Sequence, residues 1–412
     1  MNIALNLLGL NPEQGGMYQY AVTFTRHLLN RDRTNTYVVF YDYPGIPNEH
    51  FNLTRAILVR VARPLALGLT LFGRPLWAPA ARNAQRIFNR LLRVGPQARR
   101  CIQGEYSIFT RHRTQFLIQP SHVRPDPLVA GLPYLIAIHD APYQWSDDHR
   151  ARRSPRFLTW YEWLIKQLTR EARMILVDSP NGRAAMIDGY GVPPHRVRIL
   201  PFRPPDHLLI SCNGAQRDAV KKKYNLPDCF VFYPSKLLAH KNHLGVIEAL
   251  NLLRREHGVI LHLILSGSVS GDGTLERMTA LLNDYQMVGQ VHYLGYVPDE
   301  DMAALYALSQ ALVFPTLMGP TALPILEAFA AGCPVVCSNV EGYAEQVGDA
   351  GLLFDPNNVN ELAEALHAIC TNAELRAGLR EKGGARLRAA IATDYGDDIY
   401  SAVIECVTFK EN

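Results

Sequence analysis

Short apolar runs of strand length alternate with longer helical patterns along almost the whole chain of 412 residues. Strands joined by helix-length crossovers indicate parallel sheets. The rhythm pauses near residue 205 and then restarts. We therefore predict an α/β protein with two doubly wound, Rossmann-like domains that face each other across a cleft. Strands are predicted at residues 2–8, 37–41, 116–119, 134–138, 174–178 and 199–202, then at 230–233, 260–266, 291–294, 311–314 and 334–337.

A Pro-rich and then polar stretch separates the two series. It begins at Pro201, includes Pro204 and Pro205, and runs to Asp228, which is typical of a linker. We place an N-terminal domain at residues 1–205, a C-terminal domain at 206–390 and a closing helix at 391–412. Ligands of open α/β sheets bind at the carboxyl ends of the strands, so the predicted site is the cleft between the domains.

The formal net charge of +4 is unevenly distributed. Between Arg55 and Arg113 the chain carries twelve Arg and one acid, Glu105, within an insertion at about residues 53–115 of the N-terminal domain. That stretch is about +11, and the remainder is about −7. Such asymmetry favours a polyanionic partner or surface for this region.

A helix at residues 79–94 of this insertion would be basic on one face and apolar on the other. Such a helix suits anionic lipid headgroups or a lipid-linked pyrophosphate acceptor. The alternative is a surface helix that packs its apolar side on the domain core. No nucleic-acid reading motif accompanies the charge, so we predict no nucleic-acid partner. The basic face would carry Arg82, Arg86, Arg90 and Arg93.

Composition and termini favour a cytoplasmic protein, peripheral on the inner face of the cell membrane. No apolar run reaches the roughly 18 residues of a membrane span. The first ten residues fit a strand better than a signal peptide. The seven Cys are scattered without metal-ligand spacing, which favours a reducing compartment and predicts no metal site.

Two features of the first half could contact a ligand. Gly15 and Gly16 follow the first strand and precede a helix, where glycine allows close backbone approach and helix N–H groups can bind an anion. The alternative is a plain turn. His139 and Asp140 follow a buried strand, where the imidazole could bond a sugar hydroxyl; the alternative is that both residues cap the strand end.

Two lysines follow the first strand of the second half. Lys236 and Lys241 lie five residues apart and could hold a diphosphate and stabilise it as it leaves. The alternative is a pair of solvated loop lysines. The chain has only eight Lys and thirty-four Arg, and this scarcity of lysine favours a functional role for the pair.

A Gly/Pro/Thr loop and a helix follow the predicted strand 311–314. Pro324 is placed to open the helix, whose N-terminal dipole suits phosphate and sugar oxygens. We place Glu327 in the first turn, where it could accept hydrogen bonds from ribose hydroxyls. The alternative is a carboxylate that merely stabilises the helix dipole.

In the order and spacing of these motifs the chain resembles the retaining glycosyltransferases of family 4, which have the two-domain GT-B fold. The likeness spans essentially the whole chain. It rests on Gly15-Gly16, His139-Asp140 before Pro142, Val177-Asp-Ser179, Lys236…Lys241-Asn242, Gly295 before Pro298, Pro324…Glu327-Ala328, Gly332-Cys-Pro334-Val and Glu345…Asp355-Pro356.

The resemblance implies a role for each matching residue. Lys236 and Lys241 would hold the donor diphosphate, Glu327 the ribose, and His139 the transferred sugar, with Gly15-Gly16 near the phosphates. The pattern at residues 394–407 resembles the family's last helix, which crosses back onto the first domain. Such enzymes need no metal and no cofactor beyond the nucleoside diphosphate sugar.

The chain departs from the family at one position. The family has two Glu separated by seven residues, and the first position here is Gly319. Part of the sugar contact would then come from loop amides, Thr321 and Leu323, which we count as donor-binding residues. A Gly-Pro-Thr loop resembles the branch that assembles bacterial surface polysaccharides.

The predicted function is therefore retaining transfer of a sugar, mannose or rhamnose by resemblance to that branch, to a hydroxyl of a growing, lipid-linked polysaccharide. A catalytically inactive, nucleotide-binding scaffold subunit of a polysaccharide assembly complex is the alternative that Gly319 keeps open. A third possibility is a different reaction on the same fold, catalysed by a sugar-nucleotide epimerase or a phosphorylase.

Overall fold

The protein is described here from a computed structural model. It covers residues 1–46, 51, 54, 56–61, 70–71, 74–75, 108–122, 126–141, 155–210, 212–269, 271–319 and 321–408. The predicted basic helix with Arg82, Arg86, Arg90 and Arg93 lies outside the described residues.

Seven parallel strands form the first sheet, in the order β3-β2-β1-β6-β7-β8-β9, and a two-stranded antiparallel hairpin, β4-β5, accompanies it. The bounds are β1 Asn2–Asn6, β2 Thr36–Tyr41, β3 Ala56–Arg60, β4 Thr70–Leu71, β5 Arg74–Pro75, β6 Phe116–Gln119, β7 Tyr134–Ala137, β8 Met174–Val177 and β9 Val197–Ile199. The helices of this half are α1 Gly16–Arg31, α2 Ile108–Arg111, α3 Asp126–Ala130, α4 Pro155–Glu171 and α5 Pro180–Ala184.

Six parallel strands form the second sheet, in the order β12-β11-β10-β13-β14-β15. The bounds are β10 Phe230–Pro234, β11 His262–Ser266, β12 Val291–Tyr293, β13 Leu312–Phe314, β14 Val335–Ser338 and β15 Gly351–Phe354. The helices are α6 Gly214–Lys223, α7 His243–His257, α8 Thr274–Asp284, α9 Asp299–Leu308, α10 Leu323–Ala330, α11 Glu341–Val347, α12 Val359–Thr371, α13 Ala373–Ala390 and α14 Tyr395–Thr408.

Helices on both faces explain why the central strands read as continuous apolar runs. Every residue of β6, β7 and β8 is buried, as is every residue of β13 and β14. A parallel sheet covered on both faces requires this composition. Among the described residues, no helix combines the length and the apolar character needed to cross a bilayer.

The junction between the sheets differs from the sequence prediction in two ways. The strand expected at 199–202 ends at Ile199, because Pro201 has no N–H to donate to a ladder. The polar stretch read as a linker contains α6, which begins with a capping box between Asn213 and Gln216. The Asn213 side chain accepts a hydrogen bond from the Gln216 N–H at 2.9 Å.

The last helix, α14, lies against the first domain. Ile399 and Val403 are fully buried in the same apolar cluster as α1 and β1. Arg31 of α1 forms an ion pair with Asp397, and Arg198 of β9 forms one with Glu405 at 3.2 Å. Because α14 follows the second domain in the chain and packs on the first, it ties the two domains together.

Candidate active site

A cleft of about 1080 Å³ lies between the carboxyl ends of the two sheets. Parallel strands end on one edge, so the loops after β1, β7 and β8 face those after β10 and β13. The donor-site residues expected from the sequence all line this cleft: Gly15, Gly16, His139, Lys236, Lys241, Thr321, Leu323 and Glu327. The structure brings them together from two domains.

The N-termini of α1 and α10 meet across the cleft. Gly15 has φ 61°, and no side chain caps α1 there. A Cβ on Gly16 would lie 3.8 Å from the Cβ of Leu323 at the start of α10. Two helix N-termini aimed at one space favour an anion between them, because each contributes N–H groups and a positive dipole end.

The loop after β10 carries both lysines. Lys236 is exposed, whereas Lys241 is half-buried and its Nζ lies 5.6 Å from the centre of the Phe314 ring. Burial lowers the pKa of Lys241 to about 8, partly opposed by Asp140 across the cleft. An anion beside Lys241 would offset the cost of burying its charge.

Local contacts explain how the lysine loop is held. Asn242 adopts the left-handed conformation with φ 56°, which asparagine tolerates. Its side-chain amide donates to the Pro356 carbonyl at 3.1 Å, and the Tyr233 hydroxyl donates to the Lys241 carbonyl at 2.7 Å. The position of the Lys241 backbone is therefore fixed from the sheet and from a distant loop.

Glu327 is buried and points toward the cleft from α10. The Tyr306 hydroxyl donates to its Oε2 at 2.7 Å. Burial raises the pKa of Glu327 to about 7, against the opposing effect of the Tyr306 bond. Because α10 begins at Leu323, Glu327 lies past the first turn, which corrects the sequence prediction. The carboxylate is therefore too far along the helix for the dipole alternative.

Gly319 occupies the position where the family pattern has its first Glu. Its φ is 151°, and an added Cβ would lie 1.9 Å from the Tyr343 hydroxyl. Tyr343 donates to the Met318 carbonyl at 2.8 Å and lies 3.3 Å from the Thr316 hydroxyl. The phenol of α11 thus fills the space that a side chain at 319 would need. Sequence spacing located the departure but not its steric partner.

His139 presents a buried imidazole at the end of β7. Both ring nitrogens are without a hydrogen-bond partner among the described residues. The centroid of its ring lies 4.2 Å from the ring centroid of Tyr20 and 5.0 Å from that of Phe202. Burial, with a smaller contribution from His122, lowers the pKa of His139 well below its ordinary value. The ring is therefore neutral and needs a polar ligand to satisfy it.

Among the hydrogen bonds that join the domains, the side chains of Thr321 and Gln19 each reach across the cleft, and sequence reasoning assigned neither contact. Thr321 of the loop before α10 donates to Oδ2 of Asp178, which directly follows β8. Gln19 of α1 donates to both carboxylate oxygens of Asp299, at 3.1 and 3.0 Å. Burial raises the pKa of Asp178 to about 6. The one feature of the sequence that pointed to these contacts was the position of Asp178 at the end of a predicted strand.

The second domain, which forms one side of the cleft, matches a known family. Residues 216–386 match the family described as Glycosyl transferases group 1. That span includes Lys236, Lys241 and Glu327. It confirms the predicted resemblance to a glycosyltransferase family.

Curated relatives are similar over about half of this chain. The O-antigen chain mannosyltransferase B of Escherichia coli is 35% identical over 193 residues, which is 47% of this chain and 50% of that protein. The serotype-specific mannosyltransferase WbdA of Escherichia coli is 28% identical over 220 residues, 53% of this chain and 27% of that protein. The matches thus span half or less of the length of these relatives.

Solved structures match over the whole length. HepE of Anabaena, in complex with UDP and glucose, superposes with a TM-score of 0.71 at 16% identity and covers 100% of both chains. WaaG, a glycosyltransferase involved in lipopolysaccharide biosynthesis, superposes with a TM-score of 0.69 at 17% identity over 99% of this chain and 100% of that one. The fold is GT-B. This confirms the predicted fold class, two Rossmann-like domains facing across a cleft.

Proposed function

We propose that the protein transfers mannose from a nucleoside diphosphate sugar to a hydroxyl of a growing surface polysaccharide on a lipid-linked acceptor, with retention of the anomeric configuration. One observation carries the proposal. Groups suited to a diphosphate and groups suited to sugar hydroxyls line a single cleft from opposite domains. The mannosyltransferase names of the relatives in Escherichia coli support the sugar.

The geometry suggests where each part of the donor would bind. The diphosphate would lie between the α1 and α10 N-termini, within reach of Lys236 and Lys241. The ribose hydroxyls would donate to Glu327, and a sugar hydroxyl would pair with His139. Lys241 and the helix ends would then stabilise negative charge as the phosphate departs, commonly the largest contribution to group transfer.

In the proposed step the bond between the anomeric carbon and the donor phosphate oxygen breaks. A new bond forms between that carbon and the acceptor oxygen on the same face of the sugar. The acceptor proton passes to the departing phosphate, so the products are the glycoside and the nucleoside diphosphate. We propose that the reaction needs no metal, because the cations and helix dipoles of the protein would neutralise the phosphate charge.

The acceptor side rests on the sequence alone. The Arg-rich insertion with Arg82, Arg86, Arg90 and Arg93 would draw the protein to anionic lipid and to a lipid-linked pyrophosphate. A cytoplasmic, peripheral location would follow from that attraction.

The first experiment measures nucleoside diphosphate release from a panel of GDP-, UDP- and dTDP-sugars, with and without bacterial membranes as the source of lipid-linked acceptor. We expect release from a mannose donor, unchanged by EDTA, and strongly reduced in Lys241→Ala. Lys382→Ala is the matched control, because that exposed lysine pairs with Asp349 on the outer surface. NMR of the product should show the anomeric configuration of the donor.

Intact nucleotide binding without turnover of any donor, even with membranes, would contradict the proposal and favour the inactive scaffold. Phosphorolysis without a nucleotide would instead indicate a phosphorylase. Isomerisation of the donor without an acceptor would indicate an epimerase.

A further inference from the structure

Three side chains of metal-ligating type meet on the second domain, outside the residues that line the cleft. His257 is the last residue of α7, and Glu364 and His367 lie three residues apart on α12. In a parallel α/β sheet the helices run antiparallel to the strands, so helix C-termini lie at the edge opposite the ligand-binding edge. The cluster therefore belongs to a different face from the candidate active site.

The three groups are already close enough to share one ion. The Nε2 of His257 lies 3.3 Å from Oε1 of Glu364. The rings of His257 and His367 stack with centroids 4.0 Å apart and an interplanar angle of 22°. One ligand atom from each residue can be chosen so that all lie within 4.8 Å of one another.

We propose that His257, Glu364 and His367 bind one divalent transition-metal ion of the Zn²⁺ class and so clamp α7 to α12. Two imidazoles and one carboxylate form a ligand set that zinc accepts, with solvent free to complete a tetrahedron. With metal–ligand bonds of about 2.0–2.1 Å, tetrahedral ligand atoms lie roughly 3.4 Å apart. The proposal therefore requires the three side chains to move their ligand atoms from within 4.8 Å to about that separation when the ion binds.

The backbone beneath the cluster is well suited to hold its shape. Leu253 of α7 and Leu366 and Ile369 of α12 are fully buried between the helices and the sheet. Residues three apart on a helix share a face, so Glu364 and His367 present their ligand atoms together. The backbone positions of the three residues are therefore set by packing that does not depend on the metal, and only their side chains need to adjust.

An ion pair alone accounts poorly for the arrangement. The Glu364 side chain is 65% exposed, and an exposed ion pair contributes little to stability. Each imidazole has a ring nitrogen that can donate an in-plane lone pair, so the two stacked rings would turn out of parallel to aim those lone pairs at one cation. A shared cation therefore gives the three side chains a common partner.

The test uses the full chain without a histidine tag, freed of metal with EDTA and then dialysed. Zn²⁺ is titrated by calorimetry, and Tm is followed by differential scanning fluorimetry, with Co²⁺ absorption as a spectroscopic probe. We expect one equivalent to bind, Tm to rise, and the visible spectrum of Co²⁺ to change on binding. Donor turnover should be the same with and without the metal.

Glu364→Gln should weaken Zn²⁺ binding at least tenfold, and His367→Ala should abolish the Tm shift. Glu364 is exposed, so its variant keeps the fold even if the histidine variant does not. The matched control is His262→Ala combined with His292→Ala. That pair has ring nitrogens 3.1 Å apart but no third metal-ligating group within reach in the described part of the chain.

The control should bind Zn²⁺ as the unaltered protein does. The proposal is overturned if the unaltered protein shows no stoichiometric binding. It is equally overturned if binding survives Glu364→Gln and His367→Ala undiminished, or is lost in the control.

Discussion

The two sides of the cleft present different chemistry to the same space. The second domain contributes Lys236, Lys241 and the α10 N-terminus, which are positive, together with Glu327. The first domain contributes His139, kept neutral by burial, and Asp178, whose pKa burial raises to about 6. A diphosphate fits the first set, and uncharged sugar hydroxyls fit the second. We therefore propose a division of labour in which the second domain supplies the charged side chains for the nucleotide and His139 of the first domain positions the sugar, while the α1 N-terminus is the first domain's contribution to the diphosphate site.

The largest expected effect comes from the first domain. His139→Ala removes an imidazole with two unsatisfied ring nitrogens, so kcat should fall roughly 10²- to 10³-fold, as when a preorganised hydrogen-bonding group is lost. Nucleoside diphosphate affinity, measured by calorimetry, should stay within about twofold. An equal loss of kcat and of nucleoside diphosphate affinity would show that His139 also binds the nucleotide, and the proposed division would fail.

Gly319→Glu tests whether the missing Glu can be restored. The new side chain meets the Tyr343 hydroxyl at a backbone φ of 151°, so the free energy of unfolding in urea should fall by about 2–4 kcal/mol. Gly271→Glu is the matched control, because a Cβ there meets nothing within 4 Å. The double variant Gly319→Glu with Tyr343→Ala should recover part of the loss. If Gly319→Glu and Gly271→Glu have the same free energy of unfolding, the steric explanation is refuted.

Glu327→Gln tests the ribose contact. Loss of the charged acceptor should weaken nucleoside diphosphate binding about tenfold, or roughly 1.4 kcal/mol. kcat at saturating donor should change less than in His139→Ala. A large fall in kcat with unchanged affinity would place Glu327 in sugar positioning instead.

Glu327 also predicts a pH dependence of stability. Burial raises its pKa from 4.5 to about 7, so the folded state binds the proton more tightly than the unfolded chain. Its contribution to stability is therefore complete below about pH 4.5 and is lost as the pH rises through 7. Relative to Glu327→Gln, the unaltered protein should lose Tm across this window. A Tm difference between the two proteins that stays constant from pH 4.5 to pH 7 would contradict the raised pKa of the buried Glu327 carboxyl.

The smallest expected effect concerns the hydrogen bond between Thr321 and Asp178, which joins the two domains. Thr321→Val removes the hydroxyl that donates to Asp178, which should raise KM for the donor several-fold, equivalent to about 1 kcal/mol. Thr321→Ser keeps the hydroxyl and serves as the control. If both variants behave alike, the hydrogen bond does not hold the domains in the donor-binding arrangement.

Periodicity predicted the buried centre of each sheet better than its edges. The predicted strand 116–119 coincides with β6, and 134–138 exceeds β7 by one residue. The edge strands β3 and β15 were missed. Ala56–Arg60 has one buried residue, at its start, and lies inside an Arg-rich stretch, and Gly351–Phe354 has one buried residue, at its end. An edge strand has a neighbouring strand on one side only. Fewer of its residues are then buried, so its sequence shows a weaker apolar pattern.

The fold class, the two facing domains and the strand-end loops that line the cleft could be predicted from the amino-acid sequence, because burial patterns and turn chemistry depend on residues that are neighbours in the chain. Three contacts became visible only in the folded chain: Tyr343 occupies the space beside Gly319, Thr321 reaches Asp178, and His257 meets Glu364 and His367. Each of these pairs residues from distant parts of the chain. Their distances depend on how whole helices and sheets pack, and no local pattern encodes that packing.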